Sequence, residues 1–273
     1  MMQYNYGNLL IIGGAEDKEK ECKILKFFYK EAGAENARIC IITAASEKAG
    51  EAAEPYQRLF KEFGCKDITA LNFYTREDAN CEENIAKIRQ SSGIFFTGGD
   101  QLRITAMLGG TEIGKEFHRL HENKVIIAGT SAGASVMSDT MIIGGEGDTP
   151  GEDLIRMGPG LGLLRGIIID QHFAQRGRIG RLLTAVALNP HVLGIGIDED
   201  TAIHVRADGK VRVVGRGTAL ILDAANAVLS NVDELYDGRP LAFAPVRLHV
   251  LCEGHEFNLA DRTSRRSVAQ PVG

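Results

Sequence analysis

The chain has 273 residues, 44% hydrophobic and 25% charged, the composition of a globular protein with a substantial core. A formal net charge of −5, no Trp and only 6% aromatic residues argue against a nucleic-acid partner, which would ask for a basic patch or a stacking platform. Residues 1–6 lack a basic region and a signal-type apolar core, and no apolar run reaches the ~20 residues that span a bilayer; no membrane partner and a cytoplasmic location are expected.

Short apolar runs alternate with longer amphipathic stretches. Leu9-Leu10-Ile11-Ile12 ends in Gly13-Gly14. Residues 38–43, with Ile39, Ile41 and Ile42, form the next run, followed by a less apolar one at 67–74. Gly93-Ile94-Phe95-Phe96 ends in Thr97-Gly98-Gly99, and residues 125–128 lead into Gly129. Helical spacing is expected near 17–33, 51–64, 77–90 and 100–121; in the first, Cys22, Leu25, Phe28 and Tyr29 share a face. Asp17 and Ser46 are start signals, Gly33 and Gly64 stops. Continuous apolar strands separated by helices indicate an α/β fold: a doubly wound, mostly parallel sheet covered on both faces, with a flavodoxin-like or Rossmann-like order.

Residues 144–162 are rich in Gly and read as a long loop over a site. Residues 166–169 begin another strand, which runs into Asp170-Gln171-His172-Phe173. Arg176, Arg178 and Arg181 follow on a helix-like stretch, and residues 192–197 form a strand ending in Asp198-Glu199-Asp200. Asp208-Gly209 between alternating runs signals a hairpin, so antiparallel strands are added in the C-terminal part. Residues 261–273 read as a polar, frayed tail on a single domain covering 1–273. The five cysteines, Cys22, Cys40, Cys65, Cys81 and Cys252, include no C-x-x-C pair and are odd in number, which disfavours a metal or disulfide framework. Cys40, inside an apolar run, reads as a small buried hydrophobe.

The chemistry concentrates in Gly129-Thr130-Ser131-Ala132-Gly133-Ala134. This G-x-S-x-G follows a strand and precedes a helix, the frame in which a tight turn lifts a serine hydroxyl above a sheet. The Ala132 N–H and a glycine N–H from Gly98-Gly99 are the expected oxyanion donors. Of seven histidines, only His172 stands at the carboxyl end of a convincing central strand downstream of Ser131, and it is the candidate base. Its orienter is Glu199 or Asp170; Asp170 lies two residues from His172 and shares its face if the strand is extended. Ser131 without such partners would be a glycine-rich turn that packs tightly or binds phosphate. Arg176, Arg178 and Arg181 are either a solvated helix face or a carboxylate-binding group. Gly13-Gly14-Ala15 lacks the full dinucleotide-binding spacing.

These motifs together, with Gly13-Gly14-Ala15-Glu16, Gly98-Gly99-Asp100-Gln101 and the Asp170-to-Arg181 segment, resemble the serine peptidase family that contains cyanophycinase and the aspartyl dipeptidase peptidase E. The resemblance runs from about residue 7 to 222. The Asp-Gln-His-Phe and spaced-arginine segment points to the cyanophycinase-like members. It implies a fold like the class I glutamine amidotransferases and a homodimer without metal or cofactor. It implies Ser131 as nucleophile, His172 as base, Glu199 as orienter, and Gly99 and Ala132 as oxyanion donors. Gln101, Asp170, Gln171, Arg176, Arg178 and Arg181 would line the pocket. The implied reaction is release of β-Asp-Arg from cyanophycin, multi-L-arginyl-poly-L-aspartate, by hydrolysis of its aspartyl backbone. Asp170 would receive the substrate guanidinium and the three arginines its carboxylates, while Gln101 and Gln171 would bond backbone amides. A peptidase of short aspartyl peptides and a non-catalytic ligand-binding relative are the alternatives.

Overall fold

The computed structural model describes residues 7–145, 155–237 and 240–267. Nine strands form the larger sheet. Five are parallel neighbours: β1 (Asn8–Ile12), β2 (Arg38–Ile42), β3 (Asp67–Leu71), β4 (Gly93–Phe96) and β5 (Ile126–Thr130). The helices on this sheet are α1 (Lys23–Glu31), α2 (Ala49–Glu62), α3 (Glu82–Arg89), α4 (Gln101–Leu108), α5 (Glu112–Glu122) and the single turn α6 (Ala132–Ser135). After β5 come β6 (Thr140–Gly144) and β7 (Arg156–Pro159), an antiparallel ribbon, then β8 (Ile167–Gln171), α7 (Ile179–Leu188) and β9 (Leu193–Ile197). The C-terminal part holds β10 (Thr201–Val205), β11 (Lys210–Gly215), β12 (Thr218–Asp223), the short ribbon β13 (Leu229–Ser230) and β14 (Phe243–Ala244), and β15 (Arg247–Cys252), β16 (His255–Asn258) and β17 (Thr263–Arg266).

The larger sheet runs β17-β16-β11-β10-β1-β5-β4-β2-β3. The stretch β3-β2-β4-β5 follows the flavodoxin-like order, and β1 takes the place of the fifth strand. On the far side of β1 the pairing turns antiparallel through the β10–β11 hairpin, with Val205 opposite Val211 across the Asp208-Gly209 turn. The parallel strands are apolar on both faces because both are covered. Leu10, Ile12, Ile39 and Ile41 face α1 and α2, in a cluster with Phe28, Phe60 and Phe95. Leu9, Ile11, Cys40 and Ile42 face Ile85, Ile88, Ile104 and Phe117 on α3, α4 and α5.

β8, β9, β12 and β15 lie outside the larger sheet. They form a second sheet, β15-β12-β9-β8, in which β8 is an edge strand parallel to β9. His172 therefore follows an edge strand, not a central one. The two sheets share one core, since Ile169, Ile195 and Ile221 belong to the cluster that contains Leu9 and Ile127. The other face of the second sheet is covered by Leu182 and Val186 of α7.

Local chemistry accounts for the remaining departures. The stretch 17–33 is helical only from Lys23, because the Asp17 carboxylate accepts from the N–H groups of Glu19, Lys20 and Cys22 and holds a turn there. The stretch 100–121 breaks at Gly109-Gly110, and the Thr111 hydroxyl caps the second helix by accepting from Gly114 N–H. Residues 263–266, expected to fray, pair with β16 as an edge strand instead. Of the long loop expected over 144–162, residues 156–159 are β7, and residues 146–154 lie outside the described residues. No described helix is long and apolar enough to cross a membrane. No group of three His, Cys, Asp or Glu side chains among the described residues could hold a metal ion.

Candidate active site

Five strand ends converge. β1 ends at Gly13-Gly14, β4 at Gly98-Gly99, β5 at Ser131, β8 at His172 and β9 at Glu199. Ser131 sits between β5 and α6 with φ 53° and ψ −112°, a conformation that non-glycine residues seldom adopt. The turn closes because Gly129 and Gly133 face each other: a Cβ on Gly129 would lie 2.3 Å from Gly133 O. Three backbone bonds then fix the serine, its own N–H donating to Ile12 O at 3.1 Å and the N–H groups of Ala134 and Ser135 donating to Ser131 O.

The Ser131 hydroxyl lies 3.0 Å from His172 Nε2, and His172 Nδ1 lies 2.6 Å from Glu199 Oε1. Glu199, and not Asp170, is thus at the second ring nitrogen. The shared-face argument for Asp170 assumed an extended strand, but β8 ends at Gln171 and His172 turns left-handed with φ 49°. The imidazole is nine-tenths buried and packs on Gly14, where a Cβ would stand 2.3 Å from His172 Cε1. Burial pushes the imidazole below its ordinary pKa. The hydrogen bond to Glu199 opposes that shift, and the guanidinium groups of Arg176 and Arg178 add to it. Neutral imidazole is the form that can take a proton near pH 7.

The Ala132 N–H opens α6 and has no acceptor among the described residues; the same holds for Gly99 N–H. Gly98 brings the β4 end beside the serine, at a distance where an added Cβ would touch Ser131 Cβ at 3.4 Å.

The expected substrate contacts divide. Asp170 is 1% exposed and already bidentate with Arg181: Arg181 Nε donates to Oδ2 at 2.7 Å and Nη2 to Oδ1. Arg181 Nη1 also donates to Gly145 O at 3.0 Å. This pair is a buried brace between β8, α7 and the end of β6; Asp170 and Arg181, expected to meet a substrate guanidinium and a carboxylate, are here paired with each other. Arg178 donates to the backbone and side-chain oxygens of Gln171 and approaches Asp170 at 3.4 Å. Gln101 donates to Ile142 O and Ile143 O, tying α4 to β6. Arg176 is exposed, and no hydrogen bond or ion pair occupies its guanidinium among the described residues.

Sequence reasoning missed the supports. Asp198 joins the segment after His172 to β12, accepting from Ala174 N–H, Thr218 N–H and the Thr218 hydroxyl. Gln175 Oε1 accepts from Glu199 N–H at 2.9 Å. The signal present was the Asp198-Glu199-Asp200 triplet, whose members have three separate partners and only one of which reaches the histidine.

The profile of peptidase family S51 matches residues 9–214. This chain belongs to peptidase family S51. It is 41% identical over 257 residues to a cyanophycinase of Trichormus variabilis, covering 93% of this chain and 86% of that one. It is 40% identical over 263 residues to a cyanophycinase of Geminocystis herdmanii, covering 94% and 96%. A peptidase from an acI-B1 actinobacterium shares the fold, with a TM-score of 0.68 at 20% identity over 93% of this chain and 97% of that one. The S51 chain is accordingly a serine-type peptidase with a mostly parallel α/β fold.

Proposed function

We propose that this protein is a cyanophycinase that hydrolyses the aspartyl backbone of multi-L-arginyl-poly-L-aspartate to β-Asp-Arg through an acyl-enzyme. The observation that carries the reading is the contact chain from Ser131 Oγ through His172 to Glu199, at 3.0 and 2.6 Å, in a chain about 40% identical to cyanophycinases. Ser131 Oγ attacks an aspartyl backbone carbonyl while His172 Nε2 takes its proton. Glu199 accepts from Nδ1–H, which fixes the tautomer and balances the imidazolium. The N–H groups of Ala132 and Gly99 bond the oxyanion. Collapse breaks the C–N bond, and the leaving amine takes the proton from His172. A water then gives its proton to His172 and attacks the ester, and the returning proton frees the Ser131 hydroxyl.

Each substrate unit carries a guanidinium and a free carboxylate. The exposed Arg176 guanidinium is the group we assign to that carboxylate, because an arginine fork matches it and no acceptor among the described residues competes for it. Arg178 and Gln171 form the adjoining wall, held by their mutual bonds. We also propose that the chain works as one hydrolytic unit, as a homodimer and in the cytoplasm. The shared core of the two sheets supports the first, and the free state of all five thiols fits a reducing compartment.

Digestion of purified cyanophycin, read by mass spectrometry, tests the reading. Release of β-Asp-Arg dipeptide is expected from the native chain, and none from Ser131→Ala. Turnover of Asp-X dipeptides with cyanophycin untouched would replace this reading by that of an aspartyl dipeptidase.

A further inference from the structure

The turn Gly13-Gly14-Ala15-Glu16 touches all three segments that carry the serine, histidine and glutamate. Gly13 O accepts from His172 N–H at 2.8 Å, Gly14 O accepts from Asp200 N–H at 2.9 Å, and Gly14 floors the imidazole. The last residue of the turn, Glu16, reaches the third segment. Its side chain is almost wholly buried, yet three donors surround it: the Thr130 hydroxyl on Oε2, the Tyr56 hydroxyl on Oε1 at 2.5 Å, and Lys18 Nζ at 2.7 Å from Oε1. Thr130 is the residue immediately before Ser131.

We propose that Glu16 is a positioning residue, whose carboxylate anchors Thr130 and thereby holds Ser131 Oγ at hydrogen-bonding distance from His172 Nε2. The physical need is specific. Ser131 sits at φ 53° and ψ −112°, and such a backbone persists only where its surroundings over-determine it. Two restraints come from the main chain, Ser131 N–H to Ile12 O and the start of α6. Glu16 adds a side-chain restraint at the preceding residue. It belongs to the same turn that fixes His172, so nucleophile and base are referred to one rigid piece of backbone. Tyr56 and Lys18 fix the carboxylate from behind: Tyr56 comes from α2, and Lys18 stands 5.0 Å over the Tyr56 ring. Thr130 thus donates its hydrogen bond to an acceptor that cannot swing.

The inference rests on Ser131 as nucleophile, and the experiment separates the two. Wild type, Thr130→Val, Glu16→Gln and their double variant are compared, with Glu116→Gln as control. Glu116, on α5, is as buried as Glu16 and holds Arg89 of α3 and Arg119 of α5, with no contact to Ser131 among the described residues. The readouts are the rate of covalent labelling of Ser131 by a fluorophosphonate, kcat and KM on cyanophycin, and the thermal midpoint. Labelling rate and kcat are expected to fall together, by roughly 10- to 100-fold, in Thr130→Val and Glu16→Gln, the scale of a misplaced catalytic group. KM stays unchanged, and the double variant is no worse than Glu16→Gln, because both remove one contact. Glu116→Gln lowers the midpoint and leaves both rates alone. Should Glu16→Gln fail to fold, Thr130→Val carries the test alone. Wild-type labelling and kcat in folded Thr130→Val would overturn the inference alone. No labelling of Ser131 in the native chain would overturn the nucleophile reading and this inference with it.

Discussion

Replacing Asp170 by Asn removes the negative charge from a pair shielded from water, Asp170 being 1% and Arg181 7% exposed. The Arg181 guanidinium would keep Gly145 O and one amide oxygen but lose the only carboxylate it touches among the described residues. Arg178, 3.4 Å from Asp170 Oδ1, would meet an amide there in place of a carboxylate. A buried charge stripped of its partner costs about 3–5 kcal/mol. In a chain of this size each kcal/mol moves the melting midpoint by roughly 2–4 °C, so the drop should fall between about 6 and 20 °C. Scanning calorimetry measures it, with kcat and KM taken at a temperature where both proteins are folded. KM should change little, because the carboxylate faces Arg181 and not the serine. Asp170→Leu combined with Arg181→Met should regain most of the loss, since a pair of apolar residues leaves no orphan charge. A midpoint within about 2 °C of wild type, together with a KM raised tenfold or more, would refute this reasoning and return Asp170 to the substrate guanidinium.

Gly14→Ala should lower kcat at least 100-fold in a folded protein, because the new Cβ would stand 2.3 Å from His172 Cε1 and push the ring from the serine; steady-state kinetics and circular dichroism check it. Arg176→Ala should raise KM for cyanophycin more than it lowers kcat, as loss of an exposed carboxylate contact would; initial rates over a substrate series decide this. The activity should switch on with rising pH in one protonic step whose midpoint lies below the ordinary 6.5 of histidine. Burial disfavours the imidazolium, and only the neutral ring accepts the serine proton, so kcat/KM is flat above the midpoint and falls below it. Arg176→Ala should move that midpoint upward, since this guanidinium helps to depress it; a midpoint that stayed or fell would contradict the assignment.

The parallel half of the fold was legible because its strands carry the signal twice. Leu9, Leu10, Ile11 and Ile12 are all buried, and only a strand covered on both faces tolerates four apolar residues in succession between glycine-ended turns. The second sheet was not legible for the same reason. Ile167 and Ile195 are as buried as Ile11 and Ile127, so hydrophobicity alone does not tell which sheet a strand joins. That choice is made by pairing partners far along the chain: β9 lies between β8 and β12, while β10, only three residues after β9, crosses to β1. The Asp208-Gly209 hairpin was visible because its information is local, whereas the assignment of residues 263–266 to β17 depends on an edge that β16 offers and no residue in the tail announces.

The same division between local and distant information explains the site. Ser131, Ala132 and Gly98 could be placed from sequence because the turn chemistry is written in adjacent small residues. The arginines could not be sorted, because Arg176, Arg178 and Arg181 are alike in sequence and differ only in what folding brings to them. Arg181 lies on the buried side of α7 and finds Asp170; Arg178, just before the helix, bends back to Gln171; Arg176 lies on the turn before it and faces solvent. One arginine neutralises a buried acid, one stiffens the strand end that carries the histidine, and one leaves its fork exposed. The guanidinium groups of Arg176 and Arg178 beside His172 depress its basicity. Arg181, the third of the group, is paired with Asp170, and Glu199 opposes the depression from the other ring nitrogen by favouring the imidazolium.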